Sequence, residues 1–426
     1  MTSPFFITNP ESFDPREFLK SPGLRQRLDD ARYFVGLILT KLARGQADDS
    51  GMVRLRAGYL RNVMHNRDSK AVVDALLERG AVWRTAYKKG EKPFGYRLSD
   101  RFIGDRHVRL PITDAKLIRR LEAFHANADR DRKARMKPIH FALERCQHRL
   151  RIHGDEAREI ITGLPPKSNP FDVQGVLVGH IEHREFHCNV GRYGRLANNI
   201  TSLKREVRAA LHVNGQPLKS VDIACCQPAL IGKIVRDGMG AGRHGAGKAG
   251  GREQGREHRA SIYDAQSSGP TEGDLERYCS AVQAGTFYEL MMDELSDYGI
   301  GREAFKSGFL SGVVAKRKAN SRGAEYPSDI ENAFRRLFPT VYGFIRDFNG
   351  DGWHHENLIR ELQRQESAFV IEIVAAELVA QYPLLFIISL HDAIYSTARH
   401  IPKVVRAFKS AFAENDFSMS LKIATG

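Results

Sequence analysis

LLFIISLHDAIYST, residues 384–397, is the stretch on which the fold turns. An apolar run reaches His391-Asp392, and a second run with strand character leaves at once. The pattern predicts a hairpin with a carboxylate at its tip. An Asp beside so apolar a run costs desolvation energy unless something offsets its charge. A bound metal ion would do so, and so would a structural salt bridge.

Two upstream segments bear on that choice. LKSVDIACCQPALIGKIV (218–235) begins as a strand, places Asp222 at the strand's end and continues as a helix after Pro228. An Asp between strand and helix also serves as an ordinary N-cap. GREAFKSGFLSGVVAKRK (301–318) carries Arg302 and Lys306 four positions apart. On a helix they share one face. Two such cations can clasp a triphosphate, Arg as a fork and Lys as a point charge, or form a plain solvated basic face.

The order of the three segments resembles motifs A, B and C of family A DNA polymerases and of the related single-subunit RNA polymerases. Asp222 and Asp392 are 170 positions apart (392 − 222), similar to the family's spacing. Flanking segments resemble the family too. GRLANNITSLKREVRAAL (194–211) puts Arg195 and Arg208 on its basic positions, and AVQAGTFYELM (281–291) is similar to the stretch ahead of motif B. LQRQESAFVIEIVAAEL (362–378) resembles the long helix before motif C, with Gln363 near its Gln position.

The resemblance covers about residues 190–426. It implies an α+β fold, a right-hand polymerase palm with helical fingers. It implies two Mg2+ ions, with Mn2+ as a substitute, held by Asp222 and Asp392, activating a primer 3′-hydroxyl and steadying the triphosphate. Arg302 and Lys306 take catalytic and nucleotide-binding roles, with Gln227, Tyr288 and Phe309 beside the nucleotide. Arg195, Arg208, His391 and Gln363 fall on primer and template.

The sequence also departs from the family. Ala393 stands where the DNA enzymes have a third carboxylate, and Gln227 where they have the Glu that blocks a ribose 2′-hydroxyl. Phe309 is one residue off the family's aromatic position, and Tyr288 or Glu289 replaces its His. The choice between dNTPs and rNTPs is therefore open, with DNA synthesis the first expectation. No segment resembles a proofreading exonuclease.

The N-terminal part reads independently. Helical periodicity runs through Ala31–Leu42, Leu55–Met64 and Ser69–Glu78, stopped at Arg79-Gly80. Two strands follow around a basic turn holding Lys88, Lys89 and Lys92. The pattern resembles a winged helix-turn-helix, which binds duplex DNA with its third helix or serves protein contacts. Residues 112–162 are helical and basic, as in DRDRKARMKPIHFALERCQHRLR, and stand where the family has its thumb. The expected division is a winged helix at 1–105, a thumb-like region and linker at 106–185, and palm with fingers at 186–426. A Gly-rich insertion at 237–274 lacks the apolar pattern needed to bury anything. Within it Gly242 to Lys248 imitates a phosphate-binding loop, but Ala249 replaces the Ser or Thr that would hold magnesium.

Bulk properties agree with a polyanionic partner. The 426 residues carry a formal charge of +14, which favours nucleic acid. The five cysteines form no C-x-x-C pair, and no signal peptide or membrane span is legible. The expectation is a cytoplasmic, template-dependent nucleotidyltransferase of a mobile element or phage, acting on DNA and nucleoside triphosphates without membrane contact. The alternatives are an RNA polymerase or primase on the same palm, and a non-catalytic DNA-binding replication or regulatory protein.

Overall fold

The computed structural model describes residues 5–425, apart from 49, 66, 86–92, 166–170, 244–271, 316–327 and 351–355. Lys88, Lys89 and Lys92 lie outside the described residues, as do most of the Gly-rich stretch and its loop-like decoy. The expected α+β class holds, with helix dominant. No helix among the described residues is long and apolar enough to cross a membrane.

The chain divides into two compact units. The first comprises residues 1–189 and 197–218, with Gly426; the second comprises 190–196 and 219–425. Residues 1–105 and 106–185 thus fall in the same unit.

In the first unit the helix Leu28–Ala43 turns Ala31, Phe34, Val35, Ile38, Leu39 and Leu42 inward. Their three- and four-residue spacing gives one apolar face. Helices Ala57–Val63 and Ser69–Glu78 follow. The second ends on the residues the periodicity predicts, because Gly80 takes a φ of 71° just beyond it. Val82–Arg84 pairs antiparallel with Gly95–Leu98, which also pairs with Val53–Arg54. The basic stretch supplies helices Ala115–Lys133, Pro138–Gln147 and Gly154–Thr162, with the short strand Arg151–Ile152 among them. That strand pairs with Leu211–Val213, which turns through Asn214-Gly215 into the strand Gln216–Ile223. Both turn residues have positive φ, 52° and 73°, the geometry an Asn-Gly two-residue hairpin favours.

In the second unit that same strand continues as Lys219–Ile223 and pairs antiparallel with Leu421–Thr425. Its other neighbour is Ala393–Thr397, which pairs in turn with Ile388–Leu390. Helices pack around these strands. The helix Asn357–Ser367 continues through a π-helical stretch, Ala368–Ala375, to Gln381. Phe369 from that stretch stacks on Phe412 of the helix Ile401–Glu414, ring centroids 5.4 Å apart. A second core gathers Tyr278, Phe287, Phe305, Phe309, Phe334 and Phe338, all fully buried.

The Gly-rich stretch begins later than its composition suggests. The helix Cys226–Arg243 runs through 237–243, and Glu272–Ala284 is helical again. Apolar residues upstream anchor the first helix, so Gly near its end does not stop it.

Candidate active site

The hairpin tip is a two-residue turn. Leu390 faces Ala393, leaving His391 and Asp392 to turn the chain. His391 has a φ of 53°, a region that costs a residue with a side chain about 1 kcal/mol and is common at functional sites. Asp222 reaches the same place from the neighbouring strand. The N–H of Ile223 donates to the carbonyl of Asp392 at 3.3 Å. Two Asp residues distant in sequence thus stand at adjacent strand ends. Cys225, with a φ of 55°, redirects the chain into the helix that begins at Cys226.

The electrostatics follow from this placement. Burial pushes the Asp392 carboxyl well above the usual carboxylate range, and the nearby charges of Asp222 and Glu366 push it the same way. The Arg195 guanidinium acts in the opposite sense. Cys226, fully enclosed, has its thiol raised by burial first and then by Asp392, Glu366 and Asp222.

Two residues near the dyad were not legible as site residues. Glu366 lies on the helix Asn357–Ser367, buried to 2% exposure. Its place on the stripe Leu358, Leu362, Glu366 was the available signal, since a carboxylate there interrupts an apolar face. Lys422 sits directly across from Asp222 on the terminal strand. Only the pairing register reveals it.

Arg195, which the resemblance puts on the primer, is held by Glu366. Its Nε and Nη2 donate to the two carboxylate oxygens of Glu366, both at 2.9 Å. Gln363 lies one turn before Glu366, half-buried, and its carbonyl accepts from Ser367 Oγ at 2.9 Å. Arg208 belongs to the first unit, where its Nε donates to the Leu203 carbonyl at 2.9 Å.

The cations Arg302 and Lys306 of the segment 301–318 gather around Tyr288. Arg302 and Lys306 lie on one short helix, Arg302–Gly308, and each places its charge 5.5 Å from the centre of the Tyr288 ring. Arg302 also meets Glu289 at 2.9 Å, and Lys306 meets Glu303 at 3.0 Å. Burial raises the Tyr288 hydroxyl's pKa, and the charges of Cys225 and Asp392 raise it further. Tyr288 thus lies against the basic helix and within electrostatic reach of Asp392. Gln227 stands partly exposed in the first turn after Cys226.

Phe309 is a correction. It is wholly buried, with its ring 5.1 Å from Phe334 and 5.3 Å from Phe287. It cannot stack on a nucleotide. The helix widens into a π-helical stretch at this residue, Phe309–Val314, where Ala315 N–H donates to the Leu310 carbonyl. Up to Phe309 the helix is regular, with the Phe309 N–H donating to the Phe305 carbonyl, and the five-residue step begins only beyond it.

Among the described residues no three His, Cys, Asp or Glu side chains form a ready metal cage. The third carboxylate near the dyad, Glu366, is engaged by Arg195 instead. The dyad still fits a divalent cation, since its donors are carboxylate oxygens and its charge is concentrated. Compared with models of known families the chain matches none, and no curated protein is significantly similar to it.

Proposed function

We propose that this chain is a template-dependent nucleotidyltransferase, extending a primer 3′-hydroxyl with nucleoside triphosphates, with DNA as its product. The observation that carries this is the Ile223-to-Asp392 hydrogen bond, which brings two sequence-distant carboxylates to neighbouring strand ends. The raised Asp392 carboxyl adds support, because neighbouring acids that disfavour its ionised form favour a cation at the same place.

Asp222 and Asp392 would hold two Mg2+ ions, with Mn2+ able to replace them. When bound, such ions supply charge neutralisation at the phosphates and activation of the attacking hydroxyl. The remaining work belongs to side chains. Arg302 and Lys306 bind the β- and γ-phosphates as fork and point charge. Tyr288, flanked by both cations, positions the nucleotide. Gln227 offers an amide to the sugar.

On this proposal the hairpin, the strand ending at Asp222 and the terminal strand form the palm. The three helices and three strands of residues 28–98 form a winged helix. On its third helix Lys70 is paired with Asp74 at 2.8 Å and Glu78 is exposed. Duplex contacts fall instead to the exposed Arg56, Arg61 and Arg67.

Primer extension with Mg2+, offering dNTPs or rNTPs on primed and unprimed templates, tests the proposal. Extension should occur and should vanish in Asp222→Ala and Asp392→Ala. Extension surviving both substitutions would overturn the metal assignment. No product from the wild-type chain under any of these conditions would leave a nucleic-acid-binding protein.

A further inference from the structure

The acidic site holds a third carboxylate with its own counter-ion. Glu366 is 2% exposed and receives both Nε and Nη2 of Arg195 at 2.9 Å. The turn Gly191–Arg195 approaches the helix Asn357–Ser367 closely. Gly194 has a φ of 83°, and a Cβ there would lie 3.2 Å from Ser367 Cβ. The pair is therefore built in by backbone contact as well as by charge. The helix carrying Glu366 packs against the helix that starts at Cys226, and the π-helical stretch after it packs against the hairpin. Cys226 lies within range of Asp222, Asp392, Glu366 and Arg195 alike.

A buried ion pair is weak evidence of a stabilising role, since an apolar pair of similar volume often serves as well or better. Its position beside two more carboxylates suggests another purpose. We propose that Arg195 and Glu366 form a charge-balancing pair that sets the divalent-cation affinity of the Asp222–Asp392 site. Arg195 cancels Glu366, so a cation meets the charge of two carboxylates and not of three. Neither partner need touch the ion; both are positioning residues. This rests on the nucleotidyltransferase proposal for the same site.

The two partners then have opposite effects. Glu366→Gln leaves the Arg195 charge uncancelled beside the dyad and weakens cation binding. Arg195→Gln leaves the Glu366 charge uncancelled and tightens it. Each shift should be about tenfold in Kd at low salt. The doubly substituted chain, uncharged at both positions, should return close to the wild-type value, and Arg195→Lys should stay near it.

The experiment is Mn2+ titration of the full chain without nucleotide or primer, following free Mn2+ by electron paramagnetic resonance, beside Asp222→Asn and Asp392→Asn. Opposite shifts in the two single variants are the expected result. Shifts in the same direction, or none, while the Asp variants lose Mn2+ binding would overturn the charge-balance role and leave the proposed activity standing. Such a result would mark a purely structural pair, because both single substitutions break the same salt bridge. Mn2+ binding untouched by the Asp substitutions would overturn the metal site and this inference together. Should Glu366→Gln fail to fold, Arg195→Gln and the double variant still decide the sign.

Discussion

The first unit buries ionisable rings as neutral groups. Burial, helped by the Arg44 charge, pushes His180 down to about 4 and His187 down to about 3. Both give up a proton that an exposed imidazole would bind in mild acid. The second unit gathers carboxylates instead. Burial and two neighbouring acids force Asp392 above its usual range, with Arg195 the opposing cation. At these rings the first unit settles its electrostatics by neutralising what it buries. The other retains an arrangement that packing alone would not favour, and such tension concentrates where chemistry is done.

The comparison breaks most sharply on activity. Asp222→Ala or Asp392→Ala should lower primer extension by about a thousandfold, whereas His187→Ala should leave it near wild type after correction for folded fraction. An Asp variant that retains activity would make the charged cluster a structural relic. Next in size come Arg302→Ala and Lys306→Ala, each expected to reduce kcat/KM for the triphosphate by about ten- to a hundredfold. Glu289→Gln, which frees Arg302 from its 2.9 Å partner, should leave KM unchanged or lower it.

Stability should respond to pH with opposite signs in the two units. The folded histidines have lowered pKa values, so the unfolded chain binds their protons first. The contribution of His180 and His187 to the first unit is fully present above about pH 6.5 and is lost as pH falls toward their folded values of about 4 and about 3. Asp392 is raised, so its folded form keeps a proton that the unfolded form has lost. Its contribution weakens the second unit as pH rises from the ordinary carboxylate range. Hydrogen exchange, resolved by segment in metal-free buffer, should show both trends. Asp392→Asn should protect the second unit at neutral pH by about 1 kcal/mol. Equal trends in both units would remove the contrast. The smallest effect is expected from Arg56→Ala, Arg61→Ala and Arg67→Ala. Each should lower the salt slope of duplex binding by about one, with little change in catalysis on a saturating template.

Local features were readable because local physics sets them. Ser69–Glu78 follows from its spacing and the Gly80 stop, and the hairpin at 391–392 from an apolar run interrupted by two polar residues. Arg302 and Lys306 share a helix because four positions make one turn. Phe309 was misplaced because its helix face is covered by Phe287 and Phe334, a packing choice that spacing from Lys306 does not record.

The opening hairpin shows where local information stops. The sequence by itself determined that Asp392 would stand at a turn beside an apolar strand, and that Asp222 would end another. Tertiary structure alone decided that the two strands are neighbours, that Lys422 faces Asp222, and that Glu366 is neutralised by Arg195 from 171 positions away. Periodicity reports which face of an element is apolar. It carries no record of which other element will cover that face, and charge balance at a site depends on that neighbour.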